Sequence, residues 1–270
     1  MSNSWYASNL HRALCPLCGL DLLMTASIAI TIVIDFMCPW SFIGLKSLDA
    51  AMGRWQQQHP GTADLFILDF VPFEFDPPGT YPAAGTDWAE YCRGYSPAKA
   101  RYLLEEKLPA AFELGARLGI QFDLKRRIVG TEVVNTALVA AAEAGGGDKA
   151  RAFALRMLRE HFELLRDPND PALLAAALAE AGADERAVRR VLAPGAARAA
   201  QNAALTERGR GLSGGSVPKF VVACSGGGDA AAAPGSPTSP EYFERLFTLC
   251  AERGGSDAAA GTLQVSQDEL

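Results

Sequence analysis

The first strong signal in the pattern of apolar and polar positions is an almost unbroken run, Ser27-Ile28-Ala29-Ile30-Thr31-Ile32-Val33-Ile34, closed by Asp35. Continuous β-branched residues with little polar alternation predict an interior strand covered on both faces. Phe36-Met37-Cys38-Pro39-Trp40-Ser41 comes next, and then the period changes, with Leu45, Leu48, Ala51 and Met52 recurring at helical spacing. Pro39 suits a first helical turn, where the N–H it lacks would have no intrahelical partner. A helix is therefore expected from about residue 39 to about residue 58, stopped by His59-Pro60-Gly61. A second strand at about 63–71 completes a strand–helix–strand unit whose strands should run parallel.

The regular pattern then lapses. Residues 72–96 are dense in Pro, Gly and aromatics, a long irregular connection of the kind that lines sites more often than it fills space. From about 97 to about 209, Ala, Leu, Glu and Arg dominate, with helices expected at 133–143, 149–165, 171–181, 184–192 and 195–208. Pro109 should separate or kink two earlier helices, and Gly145–Gly147 and Pro168-Asn169-Asp170 supply later breaks. With no fixed repeat period this block reads as a helical insertion and not a solenoid. Strand character returns at 217–224, a loop is expected at 226–237, and Tyr242, Phe243, Leu246 and Phe247 mark a last amphipathic helix at 240–250. The expected organisation is a leader at 1–23, an α/β segment at 24–96, the helical insertion at 97–209, a second α/β segment at 210–252 and a flexible tail at 253–270.

Composition narrows the function more than the fold. With 270 residues, 49% of them hydrophobic, core material is ample, while 21% charged residues at net −6 argue against a broad nucleic-acid footprint. The apolar stretch 22–34 has about 13 residues, short of the roughly 20 that span a bilayer, so no membrane partner is expected. Asp21 interrupts the nearest candidate for a signal sequence, which leaves organellar targeting open. Cysteines at 15, 18, 38, 92, 224 and 250 are too few and too irregular for a disulfide scaffold, so a reducing, cytoplasmic setting is the expectation. Cys224 and Cys250 are expected to be buried structural thiols, and Cys92, in the irregular segment, either a distant resolving thiol or a buried or incidental one. Cys15-Pro16-Leu17-Cys18 lacks a preceding strand, and His11, His59 and His161 make no metal-ligand spacing.

The candidate chemistry lies at Cys38. At the first turn of a helix, exposed backbone N–H groups and the positive end of the dipole favour thiolate over thiol, and the competing reading is an ordinary buried cysteine. Trp40, Phe42, Phe73 and Tyr91 could shape an apolar pocket around the sulfur or simply pack. Asn135 could donate to a substrate or cap a helix.

Asp35-Phe36-Met37-Cys38-Pro39-Trp40-Ser41-Phe42-Ile43-Gly44 resembles the active-site opening of DsbA-like thioredoxin-fold proteins, especially FrnE-like oxidoreductases. The 2-hydroxychromene-2-carboxylate isomerases and kappa-class glutathione transferases are their relatives. Further landmarks follow in order: Pro72-Phe73-Glu74-Phe75-Asp76-Pro77, Leu118-Gly119-Ile120-Gln121-Phe122, Val134-Asn135-Thr136, Leu212-Ser213-Gly214-Gly215-Ser216-Val217-Pro218 and Pro240-Glu241-Tyr242-Phe243. The resemblance spans roughly residues 28–250. It implies an α/β thioredoxin-like sheet with a large helical insertion, Cys38 as the attacking thiol, and a cis Pro218 beside it. The implied substrate-facing set is Pro39, Trp40, Phe73, Asn135, Val217 and Pro218.

Two departures matter. Ser41 stands where the dithiol pattern has its resolving cysteine, and a hydroxyl cannot close an intramolecular disulfide. Ala140-Ala141 stand where that pattern brings a His-Arg pair, removing the nearest assisting base. In addition, Ser216 is an extra residue before Val217-Pro218. The implied activity is thiol–disulfide oxidoreduction by a monothiol or glutathione-linked exchange, with Ser41 orienting sulfur. Glutathione or protein and peptide disulfides would be the partners, no cofactor would be tightly bound, and a homodimer is compatible with the family. The alternatives are a glutathione-dependent transferase or isomerase of a small hydrophobic compound, and a non-catalytic thioredoxin-like binding protein.

Overall fold

The computed structural model describes residues 27–62, 65–76, 79–82, 84–224, 229–231, 239–254 and 263–264. The chain opens with β1 (Ile28–Ile34), α1 (Pro39–Gln58) and β2 (Phe66–Pro72). A helical region follows: β3 (Thr86–Asp87), α2 (Trp88–Arg93), α3 (Pro97–Arg101), a π-helical turn (Tyr102–Lys107), α4 (Leu108–Arg117), β4 (Arg127–Ile128), α5 (Glu132–Phe162), α6 (Pro171–Ala181), α7 (Glu185–Leu192) and α8 (Ala196–Ser213). The chain returns to the sheet with β5 (Lys219–Cys224), β6 (Asp229–Ala231), α9 (Pro240–Gly254) and β7 (Leu263–Gln264). This is the mixed α/β architecture the pattern implied, a small sheet core carrying a large helical region.

The sheet order is β2-β1-β5-β6-β7. β1 pairs parallel with β2 from Ile28↔Phe66 to Ile34↔Pro72, as a strand–helix–strand crossover requires, and antiparallel with β5 on its other edge. Ile28, Ile30, Ile32 and Ile34 enter the main core under α1 and α9, where Phe243 and Phe247 pack on Phe220, Trp55 and Phe66. The opposite face is covered only toward the end of the strand. There Val33 joins Val71, Phe73 and Val217, while Ala29 and Thr31 stay half-buried.

Several expected boundaries moved for identifiable reasons. The two helices expected at 133–143 and 149–165 form one element, α5, bent at Gly145 and Gly146, where Gly146 has φ 74°. A Cβ on Gly147 would sit 2.4 Å from the Leu68 carbonyl oxygen, so the bend lays α5 directly on the β2 backbone and only glycine fits at the crossing. Pro109 does not split its helices. The π-helical turn precedes it, with the Leu108 N–H reaching the Leu103 carbonyl, and the wider turn absorbs the donor that proline lacks.

Cys224 and Cys250 are corrected from free buried thiols to a disulfide, because the end of β5 and the side of α9 bring their Cα atoms to 5.2 Å. Within the segment expected to be a flexible tail, Leu263 and Gln264 pair with β6, and β6 itself occupies part of the expected loop at 226–237. The leader at 1–23 and its Cys15-Cys18 pair lie outside the described residues. Among the described residues, no helix is long and apolar enough to cross a membrane.

A buried polar knot ties the helical region to the sheet. Glu74, just past β2, accepts from the Thr131 N–H (2.8 Å) and from Asn202 on α8 (2.9 Å). Asn135 on α5 donates to Asn202 (3.2 Å) and to Thr131 Oγ1 (3.1 Å). Groups like these are costly to bury unpaired, so the knot fixes the distance between α5, α8 and the sheet end.

Candidate active site

Cys38 is the N-cap of α1, with φ −90° and ψ 115°, and Pro39 begins the helix. A tight turn leads into it, the Cys38 N–H donating to the Asp35 carbonyl at 3.1 Å. The buried Asp35 carboxylate accepts from Met37 N–H at 2.7 Å and from Phe75 N–H at 3.1 Å, stitching the end of β1 to the segment after β2. Across the turn, the Cys38 thiol faces the Val217 carbonyl oxygen at 3.7 Å. The Val217–Pro218 peptide bond is cis, as the resemblance implied. Gly44 explains the close approach of that loop to α1, since a Cβ there would lie 2.9 Å from the Phe220 ring and 3.2 Å from Pro218 Cγ.

Burial pushes the Asp35 carboxyl up to about 7, with the charges of Glu74 and Asp76 adding to it and the Met37 and Phe75 N–H groups opposing. Burial likewise pushes the Cys38 thiol up to about 11, although part of its surface stays open, and the Asp35 charge adds to the rise. The Ser41 N–H and hydroxyl and the Trp40 N–H act in the lowering direction. The expectation of a thiolate held by the helix start is therefore corrected: the donors are present, but lost hydration and a neighbouring carboxylate outweigh them.

Cys38 borders a cavity of about 670 Å³. Cys38, Pro39, Trp40, Ser216 and Val217 contribute to one side, and Phe75, Asp76, Tyr81, Trp88 and Tyr91 to another. Tyr95, Lys99, Tyr102 and Lys107 come from the α2–α3 connection, α3 and the π-helical turn. Asp76 accepts from the Tyr81 and Tyr91 hydroxyls, and Tyr91 shares a 2.6 Å hydrogen bond with Tyr95. Burial holds the Tyr81 and Tyr91 phenols well above their ordinary range, so they remain neutral donors.

The expected site residues divide. Cys38, Pro39, Trp40 and Val217 line the cavity. Ser41 is buried beneath it, its hydroxyl accepting from the Asp35 N–H at 3.2 Å. Phe73 is buried against Val33, Val71 and Phe75, and Asn135 is locked into the Glu74 knot; neither lines the cavity. Phe42 packs away from it against Phe122 and Phe162. Ala140 and Ala141 are buried in α5, so no base comes from there.

Sequence reasoning missed Arg126. This buried guanidinium lies 4.5 Å from the Trp88 and Phe162 ring centroids, and its Nη1 donates to the Met37 carbonyl at 3.4 Å. Burial lowers its pKa to about 10, while the negative forms of Cys38, Cys92 and Asp35 pull it back up. It is thus a buried cation held against the residue that precedes Cys38. Nothing in the run Lys125-Arg126-Arg127 separates it from surface charge. The Tyr81-Asp76-Tyr91 group was equally invisible, because its members meet only when the irregular connection folds back. Cys92 is buried on α2 and is a second free thiol, absent from the cavity wall.

A sheet with a cysteine at its first helix start, a cis proline loop facing that sulfur and a helical region over both is the plan of the thioredoxin-fold thiol proteins. Within that class, residues 29–246 match the DSBA-like thioredoxin domain, and the chain belongs to this family. Among solved structures it is similar to a probable DsbA oxidoreductase from Streptomyces coelicolor, at 23% identity and TM-score 0.60 over 83% of this chain and 89% of that one. A candidate protein disulfide isomerase from Nitrosomonas europaea aligns at 17% identity and TM-score 0.57 over 85% and 100%. The cytosolic disulfide reductase DsbM from Pseudomonas aeruginosa, also solved with GSH, aligns at 16% and 15% identity, both at TM-score 0.50; coverage is 82% of this chain in each case, and 97% and 98% of theirs. At these identities the likeness is one of fold. No curated protein matches the chain in sequence.

Proposed function

We propose that this protein is a FrnE-like thiol–disulfide exchange enzyme that works through one sulfur, Cys38, with glutathione as the second thiol. The observation that carries the reading is Cys38 in the cavity wall, its sulfur 3.7 Å from the Val217 carbonyl of the cis-proline loop, with a hydroxyl and no thiol one turn further along α1. Cys38 thiolate attacks the glutathione sulfur of a glutathione mixed disulfide, forming a Cys38–glutathione disulfide, and the departing substrate thiolate takes up the proton that Cys38 lost. A glutathione thiol then attacks the Cys38 adduct, releasing oxidised glutathione and restoring the free cysteine, so each substrate disulfide is reduced at the expense of glutathione. Arg126 supplies the nearby positive charge that the thiolate needs, a role the helix start fills only in part. Ser41 tunes the sulfur from below. Its side chain is fully buried beneath the cavity, which weighs against a transferase role in which it would hold a bound glutathione sulfur.

The test is intact mass after incubating wild type, Cys38→Ser and Ser41→Cys with a glutathionylated peptide. Wild type should carry a glutathione adduct that free glutathione removes, Cys38→Ser none, and Ser41→Cys an internal disulfide in place of the adduct. An unmodified wild type that still binds the peptide, with or without Cys38, would instead make the protein a binding module.

A further inference from the structure

Resting on the exchange reading above, we propose that the cavity beside Cys38 selects small, flat, aromatic disulfides that carry a carboxylate, in preference to extended peptides. A volume of about 670 Å³ falls within the roughly 300–1,000 Å³ typical of small-molecule sites. Its walls are aromatic, from Trp40, Trp88, Tyr81, Tyr91 and Tyr95. The polar atoms among them are largely turned on one another, with Tyr91 bonded to both Asp76 and Tyr95. The surface left for an occupant is more apolar than polar and is rich in rings, which favours a planar apolar body.

The charges set its orientation. Asp35, Glu74 and Asp76 border the cavity on the side of the sheet, each accepting hydrogen bonds from the protein itself. Lys99 and Lys107 border it from the exposed helical side. The Lys99 ammonium lies 3.7 Å from the Tyr95 ring centroid, and that of Lys107 lies 5.3 Å from Trp40 and 5.6 Å from Tyr102. Among the described residues, neither lysine forms an ion pair with a carboxylate. An acidic group is repelled on the sheet side and attracted between the two ammoniums. A molecule so held presents its acid outward and its sulfur to Cys38. Exchange then proceeds with full balance: Cys38 thiolate and an aryl disulfide give the Cys38–aryl mixed disulfide and one aryl thiolate, and a small thiol reverses the adduct.

The experiment uses the full chain and three probes: dithiobis(nitrobenzoate), which is aromatic and anionic; dithiodipyridine, aromatic and neutral; and oxidised glutathione, peptide-like. Release of thiol is followed by stopped flow, with the Cys38→Ser trace subtracted and each rate divided by that of free cysteine with the same probe. The anionic aromatic probe should saturate with concentration and exceed both others by roughly fivefold or more at low salt. A Lys99→Gln/Lys107→Gln double variant should lose that preference, and high salt should weaken it. Equal, non-saturating normalised rates, or a preference indifferent to the double variant, would overturn the substrate class while leaving the exchange reading in place. A Cys38 silent to all three probes would remove both.

Discussion

Asp35→Asn keeps the shape of the side chain and deletes the buried charge that ranks next after burial among the causes holding Cys38 protonated. At an effective dielectric of about 20, two charges roughly 8 Å apart interact by about 2 kcal/mol. Because Asp35, with its pKa pushed up to about 7, is largely ionised only above neutrality, and water in the cavity screens the pair, a fall of about one pKa unit in Cys38 is expected at pH 8. That fall raises the thiolate fraction about tenfold, while the less basic sulfur is about threefold less nucleophilic, so the net gain is about threefold. The assay is the rate of iodoacetamide alkylation of Cys38, followed by mass from pH 5 to pH 9. At pH 5 the wild-type Asp35 is protonated and the two proteins should react alike. Stability follows the same titration. A carboxyl whose folded pKa lies above its unfolded value of about 3.9 stabilises the fold at low pH and loses that contribution as pH rises through about 7. Relative to wild type, Asp35→Asn should therefore gain on the order of 2 kcal/mol between pH 5 and pH 8 in urea unfolding. A variant-to-wild-type rate ratio at or below unity at pH 8, or one that does not change with pH, would refute the electrostatic reasoning.

Arg126→Met keeps apolar bulk between Trp88 and Phe162 but removes the cation, so the alkylation rate of Cys38 at pH 8 should fall several-fold, opposite in sign to Asp35→Asn; Arg126→Lys should recover part of it. Gly44→Ala places a methyl group against Phe220 and Pro218 and should cost about 1–3 kcal/mol by chemical denaturation, with Cys38 reactivity changing in step. Cys250→Ser opens a loop of 26 residues and should cost about 3 kcal/mol, read from the same denaturation curves, while formation of the Cys38 adduct is retained.

The sheet and its crossover could be read from the sequence because their signal is local: eight consecutive residues from Ser27 to Ile34 and a proline-started amphipathic helix leave few other folds. Cys38, Pro39, Trp40 and Val217 emerged because they lie in short motifs. Asn135 also lies in a motif, yet its amide serves a buried knot with Asn202, a partner 67 positions away that no local pattern exposes. The upward push on the Cys38 pKa was hidden for a related reason. The helix start is visible in sequence, whereas the burial and the Asp35 charge that outweigh it depend on how the chain closes over the site. Arg126 escaped notice because its meaning lies in Trp88 and Phe162, each more than 30 positions distant. The Cys224–Cys250 bond escaped because a strand end and a helix face become neighbours only in the folded sheet.

The widened turn at Tyr102–Lys107 bears on how the rim of the cavity could be reshaped. A π-helical turn carries one more residue than the α-helical turn it replaces, so it sets the rotational phase of α4 relative to α3. Shortening the turn by one residue would rotate α4 by about 100° relative to α3 and swing Lys107 away from Trp40, leaving the sheet and Cys38 untouched. A single codon gained or lost there is enough to rewrite the rim while the chemistry beneath it stays the same.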